Sequence, residues 1–187
     1  MNSIVKRCLV GVILALAATL PNYQTLKTSA AGLKLIADYE GCQLNAYQCS
    51  ANVWTNGIGH TAGVKPGSVI SERQVAVNLV ADVQRVEQAI AVCMPVAMPQ
   101  QVYDAVVSFA FNVGTGAACR STLAFFVNKG DWHSACNQLP RWVYVNGVKT
   151  KGLECNQLPR WVYVNGVKTK GLERRRTTEQ TYCLSGV

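Results

Sequence analysis

The sequence is short of histidine and of acidic residues, and it holds no long apolar run. Histidine occurs only at His60 and His133, and neither sits in a recognisable Cys/His motif. An exported cysteine peptidase or amidase pairing Cys49 with one of them therefore has little behind it. No zinc-type cysteine spacing, glycine-rich phosphate loop or aromatic RNA-binding motif is present, so neither a metal nor a cofactor is expected. Acids number 10 against 18 Lys and Arg, a net charge of +8. That balance suits a polyanionic partner such as nucleic acid, anionic lipid or carboxylate-rich wall. Nucleic acid is set aside because no binding motif accompanies the charge. A non-enzymatic basic protein that binds wall or disrupts membrane stays open on charge alone.

Cysteine is in excess. Cys8, Cys42, Cys49, Cys93, Cys119, Cys136, Cys155 and Cys183 point to an oxidising compartment. Lys6 and Arg7 precede a largely apolar stretch, Cys8 to Leu20, before Pro21. It is a positive segment followed by a short hydrophobic one, as in export signals. Its 13 residues fall below the roughly 20 that span a bilayer comfortably. Two readings fit, a signal cleaved near Ala15, Leu16 and Ala17, or an uncleaved and weakly held anchor. Both export the chain. Residues 1–26 are thus expected to form a signal or anchor segment and residues 27–187 one enzyme domain.

Within that domain Leu33, Ile36, Ala37 and Glu40 share one helical face and Gly41 stops the helix, so Glu40 is expected to point inward. Residues 43–69 break into short pieces around Trp54 to Gly59 and read as a hairpin. Ser71 with Gln74 resembles a capping box opening a long helix through Val75, Leu79, Val83, Val86 and Ile90. A second helix carries Val102, Val106, Phe109 and Val113, and others are expected at about 120–129 and 131–139, with Asp131 as an N-cap. The expected class is α+β, mostly α. A small hairpin-containing lobe, about 27–70, is joined by the long helix to a helical lobe, about 71–187.

Residues 136–154, CNQLPRWVYVNGVKTKGLE, recur unchanged as residues 155–173. Solenoids need several diverged copies, so two identical ones read as a tandem duplication. The extra copy makes the cysteine count even and leaves Cys155 competing with Cys136 for one partner. The helix carrying Cys136 is expected to keep its place, the second copy to feed into Arg174, and about 19 residues between to bulge outward at little entropic cost.

The chemistry concentrates at Glu40, Gly41, Cys49 and Thr55, followed by Asn56, Gly57, Ile58, Gly59 and His60. Cleaving a glycoside needs an acid to protonate the leaving oxygen and a second group for the charge or water at the sugar carbon. An inward Glu40 on an apolar helix face suits the acid, because burial disfavours its ionised form. Here the sequence resembles the T-even phage lysozyme family, in which a Glu, an Asp or Cys nine residues later and a Thr six beyond line the cleft. Tyr47, Trp54, the Gly57 to His60 run, Phe111 to Gly114 and Gly171 to Arg175 also resemble that family, and the likeness spans roughly residues 30–186.

The resemblance implies a lysozyme-like fold and a muramidase that cuts the β-1,4 bond of peptidoglycan for host lysis. Catalysis would fall to Glu40, Cys49 and Thr55, with Thr55 holding the attacking water. Tyr47, Phe111, Asn112 and Ser121 would meet the glycan. His60 is taken as structural, and Arg174, Arg175 and Arg176 as a helix face that pairs with acids or meets the wall. As a thiolate Cys49 serves the reaction, whereas in a disulfide it is silent.

Cys8, Cys42 and Cys49 further resemble the signal-anchor-release endolysins, which implies a redox switch. While residues 8–20 sit in the inner membrane, Cys42 is bridged to Cys49. After release into the periplasm of a Gram-negative host, Cys8 takes Cys42 and frees Cys49. A monomer is expected.

Overall fold

The computed structural model describes residues 7–48, 52–143 and 170–187. Cys49, Cys155 and the inner part of the duplication lie outside the described residues. The described fold is mostly helical with one two-stranded antiparallel hairpin, the α+β arrangement expected.

The apolar amino-terminal stretch forms α1, Val10–Ala18, followed by a 3-10 turn, Pro21–Thr25. Ile13 and Ala17 lie one turn apart on α1 and are buried, as is Leu20 just beyond it, so this segment packs into the core. Val12 on α1 and Leu9 just before it are exposed. Among the described residues, no helix is long and apolar enough to cross a membrane.

Helix α2, Ala30–Glu40, opens on Ser29, whose hydroxyl accepts from the Gly32 amide, and stops at Gly41 with φ +69°. Leu33, Ile36, Ala37 and Glu40 are all buried, as the spacing predicts. Strands β1, Gln43–Gln48, and β2, Trp54–Gly57, pair with Tyr47 opposite Thr55 and Gln43 opposite Gly57. Arg7 adds an isolated antiparallel bridge to Gln43 of the first strand.

Helix α3, Glu72–Cys93, is the long connector, capped by Ser71 accepting from the Gln74 amide at 3.1 Å. The Gln74 side chain turns to Asn78 at 2.8 Å, so only half of the capping box forms. The helical part follows as α4, Gln100–Val113, α5, Thr115–Cys119, α6, Thr122–Asn128, and α7, Trp132–Cys136. Asp131 caps α7 by accepting from the Ser134 amide at 3.0 Å. The described chain closes with α8, Lys170–Leu184, which lies along α4.

Disulfides join Cys8 to Cys42, Cys93 to Cys119 and Cys136 to Cys183. The described residues include Cys136 to Val143 from the first duplicate and Lys170 to Glu173 from the second.

Candidate active site

Glu40 ends α2 and is 4% exposed. Helix periodicity turns its carboxyl inward, and α8 meets it with Arg175, whose Nη1 donates to Glu40 Oε1 at 2.7 Å. The two residues are 135 apart in sequence. Burial on the apolar face of α2 works against the charged form of Glu40, as expected, and the structure adds a guanidinium that works for it. Burial and ion pairing therefore oppose each other at this carboxyl.

Arg175 is held on three sides. Nε donates to Glu179 Oε1 at 2.9 Å and Nη2 to the Ser108 carbonyl at 3.1 Å, and the guanidinium lies 5.5 Å from the centre of the Tyr39 ring. Burial works against its charge, but the carboxylates of Glu40 and Glu179 more than offset this and hold its pKa above the ordinary arginine value. Glu179 is fully buried and also accepts from Arg176 Nη1 and, at 2.7 Å, from the Ser108 hydroxyl. Burial pushes its carboxyl up, and Arg176 and Arg175 pull it further down, so it lies below the usual range. Arg176 reaches Asn112 Oδ1 and the Trp142 carbonyl and lies against the Phe109 ring.

Tyr47 is half-buried on β1, and burial together with the charge of Glu40 pushes its phenol up to about 12. Its register partner Thr55 is fully buried and donates its hydroxyl to the Val53 carbonyl at 3.2 Å. Cys49, between the strands, lies outside the described residues. Cys42 is bonded to Cys8, with Cα atoms 5.2 Å apart, and the Cys8 amide donates to the Cys42 carbonyl at 3.3 Å.

Phe111 and Asn112 are buried on α4, and Asn112 belongs to the Arg176 contacts. Ser121 caps α6, donating to the Ala118 carbonyl and accepting from the Ala124 amide. His60 stands apart: Nδ1 is 2.8 Å from Asp82 and Nε2 3.0 Å from the Ala62 carbonyl, so both ring nitrogens are engaged. His133 pairs with Asn137 at 3.1 Å.

Sequence reasoning missed Ser108, Glu179 and the reach of Arg175 to Glu40. A signal was present. Leu172, Arg175, Arg176, Glu179 and Cys183 recur at three- and four-residue steps, which puts three charged side chains on the buried face of α8.

The sequence matches the phage lysozyme family over residues 37–155. It is 32% identical to the SAR-endolysin of Escherichia phage P1, over 87% of this chain and 84% of that one. The fold is similar to the crystal structure of the active form of the P1 phage endolysin Lyz, with a TM-score of 0.76, 29% identity and 96% of both chains covered. The likeness to the secreted inactive form of the same endolysin is lower: TM-score 0.51, 28% identity, 86% of this chain and 97% of that one. The chain belongs to the phage lysozyme family and is a lysozyme, an endolysin of the signal-anchor-release group that hydrolyses the glycan of peptidoglycan.

Proposed function

We propose that Glu40 is the general acid of this muramidase, protonating the leaving oxygen of the β-1,4 bond, while Cys49 as a thiolate and Thr55 handle the water at the sugar carbon. The observation that carries this is the inward carboxyl of Glu40 held by Arg175, at the end of the helix that leads into the hairpin. The Thr55 proton is directed at a carbonyl, and the hydroxyl oxygen then accepts from a water. Of the glycan-contact candidates Tyr47, Phe111, Asn112 and Ser121, Tyr47 is favoured because it is the half-buried one and stays neutral beside Glu40.

The same chain is proposed to be exported through its amino-terminal segment, to rest in the inner membrane by residues 8–20, and to act in the periplasm as a monomer. In the tethered state Cys42 is bridged to Cys49. On release the Cys8 thiolate attacks Cys42 Sγ, a Cys8–Cys42 bond forms, and Cys49 leaves as a thiolate; one disulfide replaces another, with no net oxidation. The Cys8–Cys42 bond supports this, since it takes Cys42 from Cys49, and so does the greater likeness to the active than to the inactive P1 endolysin.

Turbidity clearing of permeabilised Gram-negative cells tests it. Cys8→Ser is expected to be silent under oxidising conditions and to recover with reductant. Full activity of that variant without reductant, or a mature amino terminus near Ala18, overturns the switch.

A further inference from the structure

Charge enters the buried site from four side chains, Glu40 on α2 and Arg175, Arg176 and Glu179 on α8, each less than 5% exposed. An acid catalyst must hold its proton until the glycosidic oxygen takes it. A guanidinium 2.7 Å away favours losing that proton, and a second, Arg176, lies on the next residue of the same helix. In surroundings this dry, each uncompensated positive charge acts strongly on Glu40. Glu179 is placed between the two cations. One oxygen takes Arg175 Nε, the other takes Arg176 Nη1, and the Ser108 hydroxyl fixes the carboxylate from α4.

We propose that Glu179 is a positioning residue for the reaction: by taking up the charge of Arg175 and Arg176, it lets Arg175 aim the Glu40 carboxyl without stripping its proton. The geometry gives the division of labour. Arg175 spends Nε on Glu179 and Nη2 on the Ser108 carbonyl, which leaves Nη1 as the edge turned to Glu40. Among the described residues, Tyr39 from α2 and Tyr47 from β1 also face these charges, as do Ser108 and Asn112 from α4, neither of which titrates. Cys49 belongs to the same site by the proposed roles, so the readout has to see Glu40 itself. The inference rests on Glu40 being the acid.

Carbon-13 carboxyl NMR of the glutamate-labelled full chain, with Glu40 assigned through Glu40→Gln, reads that titration directly. In Glu179→Gln the positive charge beside Glu40 rises by one, and the Glu40 midpoint is expected to fall by about one pH unit. kcat at neutral pH should fall up to about tenfold in parallel, with KM unchanged. Glu179→Asp, which keeps the charge, should return the midpoint towards the parent value. The pair Arg176→Met with Glu179→Leu removes one charge of each sign and should leave the midpoint in place; it also serves if Glu179→Gln does not fold. An unmoved Glu40 midpoint in Glu179→Gln, or a midpoint about one unit lower in the double variant, overturns the proposal. Retained activity of Glu40→Gln would overturn the acid role instead, whatever the titration shows.

Discussion

At the scale of single residues, the site turns on how a buried carboxyl is kept serviceable. Glu40 is at once removed from water and paired with Arg175, so neither influence alone sets its state. Glu40→Gln keeps the shape and removes the proton source. Turbidity clearing should then fall by about 10²-fold or more, the usual contribution of a general acid. The fold should survive, because Arg175 retains Glu179 and Ser108. Tyr47 gives a second check. Its phenol is raised to about 12, so the ultraviolet titration of the parent minus that of Tyr47→Phe should show no ionisation below roughly pH 11. A difference signal near the ordinary tyrosine value would mean that Tyr47 faces water rather than Glu40.

At the scale of elements, two buried carboxylates fix the start of α2. Glu87 of α3 accepts from the Lys27 and Thr28 amides and the Thr28 hydroxyl, at 2.6 to 3.3 Å. Asp104 of α4 accepts from the Ser29 amide and hydroxyl, from Gln100 and from Tyr182. This clamp joins α3 and α4 to the helix that carries Glu40. Gly32 makes room for it, since a Cβ there would lie 2.5 Å from Asp104 Cγ. Gly32→Ala is therefore expected to destabilise by about 1–3 kcal/mol, read as a lower denaturant midpoint with unchanged slope. On α1, Ile13 is fully buried, so Ile13→Ala should cost about 2–5 kcal/mol in the same measurement. A change within experimental error would show that α1 is not part of the cooperative core.

At the scale of the whole molecule, the four-charge cluster ties α2, α4 and α8 together and makes stability depend on pH. Glu179 is depressed in the folded chain, so its stabilisation is complete above the unfolded carboxylate pKa and is lost as pH falls through the folded one. Thermal melts from pH 7 downwards should show Tm falling in acid, and Glu179→Gln should flatten that fall as well as lowering Tm at neutral pH. The duplication is a second whole-chain matter. Deleting 136–154 or 155–173 gives the same polypeptide, and the described segments Cys136 to Val143 and Lys170 to Glu173 both survive in it. Cys136 is expected to remain bonded to Cys183 in a disulfide map of that shorter chain.

The sequence by itself determined what local periodicity and capping control. The buried face of α2 with Glu40 on it, the stop at Gly41, the Ser71 and Asp131 caps and the hairpin are all readable, because each depends on residues within a turn or two of one another. The spacing of Glu40, Cys49 and Thr55 was legible for the same reason. Tertiary structure alone decided that Arg175 meets Glu40, that Ser108 holds Arg175 and Glu179 from α4, and that α1 packs on α3. It also decided which cysteines pair among the described residues. Those contacts join residues tens to more than a hundred positions apart. No local pattern encodes such a distance; it is set only when the apolar faces of α1, α2, α4 and α8 close on a common core and bring their charged positions into the same dry space.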